Sequence, residues 1–174
     1  MSRGFPRGGR SGVARERVRA VAVRVRFVGG DRLDGHRSVG YGAMRELTIT
    51  TERHTQVLDI TPQVREALDG ASGAAVLVYV PHTTAGLTIN EHADPMVARD
   101  FEDALEKIVQ DGWGWKHVEE GEENAPSHIR ASLMSPHVLV PLAGGKLALG
   151  TWQGIFFCEF DGPRERKVYV ATLS

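Results

Sequence analysis

Val138-Leu139-Val140-Pro141-Leu142-Ala143-Gly144-Gly145-Lys146-Leu147-Ala148-Leu149-Gly150, continued by Thr151-Trp152-Gln153-Gly154-Ile155-Phe156-Phe157-Cys158-Glu159-Phe160-Asp161-Gly162-Pro163 and Arg164-Glu165-Arg166-Lys167-Val168-Tyr169-Val170-Ala171, is the stretch that decides the fold. It holds four short apolar or alternating runs, at 138–141, 146–150, 154–160 and 167–171, separated by Gly, Pro and Asp turns. Runs of that length with such boundaries read as strands, and turns this short join strands that run antiparallel. Cys158, the chain's one cysteine, lies inside an apolar run with no basic neighbour to lower its pKa, so it reads as a small buried hydrophobe.

Upstream the pattern is mixed. Residues 47–51 and 57–60 read as strands around the polar turn Glu52-Arg53-His54. Thr61-Pro62 offers a cap and a proline at the first helical position, with Val64, Ala67 and Leu68 as the buried stripe of a short helix. The continuous apolar run 74–80 predicts a central strand buried on both faces, and 87–89 another strand. Asp94-Pro95 repeats the cap signal before a longer helix with a stripe of Val97, Phe101, Ala104, Leu105 and Ile108, stopped at Gly112-Trp113-Gly114-Trp115. Pro126 starts a third helix over 126–134. Strands outnumber helices, and there is no GxGxxG or P-loop. The expected architecture is therefore a single α+β domain with a mainly antiparallel sheet and about three helices, not a doubly wound nucleotide binder.

With 174 residues the chain suits one domain. Its composition is 41% hydrophobic and 25% charged, with no apolar run long enough to span a bilayer. A cytoplasmic setting follows from that and from the lone cysteine. The net charge of −1 hides an asymmetry: residues 1–43 carry ten arginines against three acids, and residues 44–174 carry eleven basic and nineteen acidic side chains. The Arg/Gly-rich segment 1–43 is expected to be disordered or a non-native extension, although Val21, Val23, Val25 and Phe27 alternate as in a strand. The folded unit is expected to start at Met44. The run from Val18 to Val28 is broken by arginines and is no secretory signal. One Arg-Gly-Gly without an aromatic platform is weak ground for nucleic-acid binding. Neither a membrane nor a nucleic acid is the expected partner.

The chemistry concentrates in three patches: residues 81–86, residues 90–95, and residues 117–128. Five of the seven histidines lie between His82 and His137. His82, His117 and His128 form a candidate metal triad, zinc being favoured for neutral imidazoles, with a fourth position left open. His128 also opens a helix, and Ser127 and Arg130 beside it offer a phosphate site. Glu91 and Asp94 flank a turn and are candidate acid/base groups; Asp94 before Pro95 is also a standard helix cap, and Glu91, with no such structural role, is the stronger functional candidate. Trp152 and Gln153 sit between glycines that permit close approach of a ligand. Arg164 and Arg166 straddle Glu165 and would face one side of a strand. Thr83, Thr84, Asn90 and Thr151 complete the candidate substrate-binding set. The run Glu119-Glu120-Gly121-Glu122-Glu123 reads as a solvated loop.

At these residues the chain resembles the YjbQ family of secondary thiamine-phosphate synthases. The resemblance rests on His-Thr-Thr-Ala-Gly-Leu-Thr-Ile-Asn-Glu at 82–91, Asp94-Pro95, Asp100, His117, Pro126-Ser127-His128-Ile129-Arg130 and Gly150-Thr151-Trp152-Gln153-Gly154. It covers residues 44–174. It implies a compact, largely antiparallel α+β subunit that assembles as a homotrimer with pockets near the subunit boundaries. The implied pocket is built around His82, Glu91, Asp94, His117 and His128, with a divalent metal and with Thr151, Gln153, Arg164 and Arg166 nearby; His92 falls outside it. The implied reaction joins hydroxymethylpyrimidine diphosphate to thiazole phosphate with loss of diphosphate, either as the main activity or as a side activity. Two other classes compete: a metal-dependent hydrolase or other small-molecule enzyme using the same pocket, and a non-catalytic phosphate- or metabolite-binding trimer.

Overall fold

The computed structural model describes residues 23–27, 44–118 and 124–174. The remainder of the Arg/Gly-rich segment and the acidic run 119–123 lie outside the described residues. In chain order the elements are β1 (Val23–Phe27), β2 (Arg45–Thr50), β3 (Gln56–Asp59), α1 (Thr61–Ala67), β4 (Ala75–Tyr79), β5 (Ala85–Glu91), α2 (Pro95–Ile108), α3 (Ala125–Leu133), β6 (His137–Ala143), β7 (Lys146–Leu147), β8 (Gln153–Glu159) and β9 (Glu165–Leu173). They build two sheets, a six-stranded one in the order β1-β2-β9-β4-β6-β7 and a three-stranded one in the order β3-β8-β5. Each strand pair is antiparallel. This is a single α+β domain with three helices, as the turn pattern predicts.

The four C-terminal runs are strands, but only β6 and β7 form a hairpin. β8 enters the small sheet and β9 the middle of the large one. The reason lies in their side chains. Along β9, Arg166, Val168 and Val170 point inward and Lys167 points outward, so one covered face suffices. β8 is apolar on both faces: Ile155 and Phe157 join the main core, and Cys158 joins Phe160, Leu105 and Ala131 in a second one. A strand of that kind must lie between two layers. The main core fills the space between the two sheets, with Leu47, Ile49, Val76, Val78, Val140, Val168 and Val170 from the large sheet. The second core fills the space between the small sheet and α2 and α3.

Two expectations are corrected. The run 74–80 is not buried on both faces, because the outer face of the large sheet has no covering layer among the described residues. Val76 and Val78 are buried, whereas Tyr79 and, across the sheet, Leu139 are exposed. In α2, Leu105 is buried and Phe101 partly so, but Ala104 and Ile108 face solvent. The helix is rotated so that Glu102 lies inside, where its carboxylate accepts two bonds from Arg53 at 2.8 Å and one from the Val57 amide at 2.7 Å. Within residues 1–43, Val23–Phe27 pairs with β2 as a sheet edge, in register Val25↔Leu47.

Candidate functional site

β5 and β8 run antiparallel from the pair Ala85↔Glu159 to the pair Glu91↔Gln153. Six residue steps of extended chain cover about 20 Å. The candidate residues divide between the two ends of this ladder, so one chain does not gather them into one pocket.

At the first end, β4 delivers the segment 80–84 and the start of β9 delivers Arg166. Glu159 is fully buried. Its carboxylate accepts from Arg166 Nε at 2.7 Å and Nη2 at 2.6 Å, from Thr51 Oγ1 at 3.2 Å, and from the amides of Phe160 and Asp161 at 3.1 and 3.0 Å. Arg166 Nη2 also donates to Thr84 Oγ1 at 2.8 Å. The Lys167 amide donates to His82 Nε2 at 2.9 Å. Partial burial, then the positive charge of Arg166, hold the His82 imidazole below the ordinary histidine range; Lys167 acts in the same sense and Glu159 opposes it. Thr83 beside it is exposed.

The start of α3 joins this end. Ser127 Oγ donates to the Phe160 carbonyl, and the Phe160 amide donates to the Thr84 carbonyl at 3.1 Å. His128 follows Ser127 and meets His117 edge to face, with ring centroids 5.3 Å apart. Ser127 and Arg130, expected beside a phosphate, point inward instead. Ser127 is buried, and Arg130 Nη2 clamps the end of α2 through the Val109 carbonyl at 2.6 Å and Asp111 Oδ1 at 2.8 Å. Arg164 and Arg166 do not form a pair on one face. Arg164 precedes β9, is exposed, and bonds Asp161 at 2.7 and 2.9 Å, whereas Arg166 is buried on Glu159.

At the other end stand Asn90, Glu91, Asp94, Thr151, Trp152 and Gln153. Asn90 Oδ1 accepts from the Glu91 amide at 2.8 Å, Asp94 Oδ1 caps α2 by accepting from the Met96 amide at 2.9 Å, and Gln153 Oε1 accepts from the Gly150 amide at 2.8 Å. Thr151 is exposed. Trp152 is 63% exposed, a flat apolar surface in water. His92 belongs here too: its amide donates to the Trp152 carbonyl at 2.9 Å and its Nδ1 lies 3.4 Å from Asp59 Oδ2. Gly154 makes this approach possible, because a Cβ there would stand 2.9 Å from His92 Cβ.

Among the described residues no three His, Cys, Asp or Glu side chains come together to hold a metal. His117 and His128 meet, and His82 does not complete a triad with them within one chain. Sequence reading missed Glu159, whose signal was a lone acid inside an apolar run, and the Asp59–His92 contact, which only the fold brings together. Cys158 is buried with its thiol pKa pushed up, as a core residue. No helix among the described residues is long and apolar enough to cross a membrane.

Comparison with known proteins gives a consistent result. The family model described as UPF0047 protein YjbQ-like matches residues 45–174. A UPF0047 protein of Archaeoglobus fulgidus is 46% identical over 128 residues, covering 74% of this chain and 99% of the relative. The UPF0047 protein YugU of Bacillus subtilis is 42% identical over 136 residues, covering 75% and 98%. Among solved structures, a YjbQ/UPF0047 family protein of Clostridium acetobutylicum superposes with a TM-score of 0.68 at 49% identity, over 72% of this chain and 96% of the other. A hypothetical protein of Aeropyrum pernix does so with a TM-score of 0.70 at 39% identity, over 75% and 98%.

Proposed function

For a chain that belongs to the UPF0047 (YjbQ-like) family, as this one does, we propose an enzyme of the secondary thiamine-phosphate synthase type. It joins hydroxymethylpyrimidine diphosphate to thiazole phosphate and releases diphosphate. The thiazole nitrogen attacks the pyrimidine methylene carbon, the bond from that carbon to the diphosphate oxygen breaks, and the electron pair leaves with the diphosphate. Such a step is accelerated by donors and positive charge fixed in advance where the negative charge develops.

The observation that carries the reading is the hydrogen-bonded chain at the first end of the β5–β8 ladder. It links Thr84, the buried Arg166 and the first turn of α3, which carries His128, and the Lys167 amide next to Arg166 ties His82 to the same end. His128 and His117 are the groups to contact phosphate or move a proton. Glu91 is the candidate carboxylate to steady the positive charge that develops on the thiazole ring and Trp152 the stacking wall, but both stand about 20 Å away along the ladder. One substrate meets both sets only where a neighbouring copy turns its Glu91 end toward this chain's His82 end. A head-to-tail homotrimer meets that need because such an interface closes into a ring. The uncovered face of the large sheet, with Tyr79 stacked on Tyr169 at 6.5 Å and Leu139 exposed, is the apolar surface such an assembly would bury. A three-ligand zinc site does not fit the donors that one chain brings together among the described residues, and no step is assigned to a metal.

The test is direct synthesis: purified protein with the two phosphorylated precursors, the product read by mass spectrometry, alongside His128→Ala and Glu91→Gln. Product from the wild type, lost in both variants with unfolding unchanged, supports the reading. No product overturns it, and stabilisation by phosphate compounds without turnover would point to the binding-protein class.

A further inference from the structure

His82 has two ring nitrogens, and the fold commits one of them. The Lys167 amide in β9 points its N–H at Nε2 from 2.9 Å. A backbone amide nitrogen donates and cannot accept, so Nε2 must present its lone pair, and the proton of the neutral ring stands on Nδ1. Protonating Nε2 would set two N–H groups against each other beside the Arg166 guanidinium and the Lys167 ammonium. Among the described residues the charge that opposes this is Glu159, already engaged by Arg166, Thr51 and two amides, while the Lys167 ammonium is paired with Glu46 at 3.1 Å. No partner for Nδ1 is found among the described residues.

We propose that His82 serves as a neutral hydrogen-bond donor, offering Nδ1–H to a phosphoryl oxygen of the substrate. It is neither a general base nor a metal ligand through Nε2. A base needs an open lone pair within reach of the proton it removes, and a metal needs the same lone pair; here the Lys167 amide occupies it. A neutral N–H flanked by Arg166 and Lys167 suits an oxyanion. The tautomer follows from the geometry alone. The phosphoryl partner rests on the functional reading above, and the experiment separates the two.

Nitrogen-15 spectra of the full chain at pH 7, assigned against His82→Ala, read the tautomer without substrate. The expected result is a pyrrole-type Nδ1 and a pyridine-type Nε2. A protonated Nε2 overturns the proposal. Inorganic phosphate is then titrated: the Nδ1–H resonance is expected to shift on saturation. His82→Ala should bind phosphate about tenfold more weakly, the cost of one hydrogen bond to a charged group. His82→Asn, which sets an amide donor near the place of Nδ1, should keep most of the wild-type affinity. Phosphate affinity unchanged in His82→Ala overturns the donor role. If tautomer and phosphate results hold while synthesis of thiamine phosphate is absent, the donor stands and the synthase reading falls.

Discussion

A carboxylate out of contact with water survives folding only when its lost hydration is replaced, and Glu159 receives five donors in exchange. Two come from Arg166, itself buried, in the bidentate geometry that guanidinium and carboxylate share. Removing one charge leaves the other stranded, so Glu159→Gln is expected to lower stability by about 3–5 kcal/mol in urea unfolding at pH 7. Arg166→Gln should cost a comparable amount, and the double variant less than the sum, as coupled sites require. His82 adds a pH dependence with a definite sign. Its folded pKa lies below its unfolded one, so the unfolded chain binds the proton first as pH falls. Stability from this group is fully present above the unfolded value of about 6.5 and is lost as pH falls from there through the folded pKa. Urea midpoints should therefore drop across that interval, and His82→Asn should flatten the drop. The acid at 159, missed in the sequence, left its signal as a charge inside an apolar run, whereas its arginine, seven residues on, could be paired with it only after β8 and β9 were placed in different sheets.

At the scale of elements, what was readable is what local chemistry decides. Asp94-Pro95 marked the start of α2, and the structure has Asp94 capping it through the Met96 amide. Asp94→Ala is expected to cost about 1 kcal/mol in thermal or urea unfolding and Asp94→Asn almost nothing, since Asn caps equally well. If Asp94→Asn also keeps full synthase activity, the carboxylate is a cap and has no part in the chemistry. The second start differs: Ile60, not Thr61, precedes the helix, because Thr61 Oγ1 is bonded to Asp59 Oδ1 at 2.5 Å and receives the Ile155 amide at 2.7 Å. Thr61 thus ties α1 to β8, a partner almost a hundred residues away in sequence that no local pattern announces. Strand positions were likewise legible from alternation, and strand partners were not. The turn between β8 and β9 is short enough for a hairpin, yet β8 needed cover on both faces and β9 on one. Burial, not loop length, decided the topology.

For the whole molecule, the division of the candidate residues between two ends of one ladder has a genetic test. If copies assemble head to tail as proposed, His128→Ala subunits and Glu91→Gln subunits, each expected to make no product alone, should regain part of the activity when refolded together, because some boundaries would then carry an intact His128 opposite an intact Glu91. Sites contained within one chain would stay silent in the mixture. The histidines and acids were legible as a set, but their separation was not, since spacing in sequence says nothing about which end of a strand a loop reaches. β8 also has a consequence for how the protein opens. It is hydrogen-bonded along both edges, to β3 and β5, and roofed on both faces by apolar layers. Its central amides therefore have no route to solvent short of dismantling both cores. In deuterium oxide, Phe156, Phe157 and Cys158 are expected to be the last to exchange, at a rate set by global unfolding, while the β1 edge and the β6–β7 hairpin exchange early through local fraying. Those three amides would then serve as an internal gauge of total stability, readable in the same spectra that report on His82.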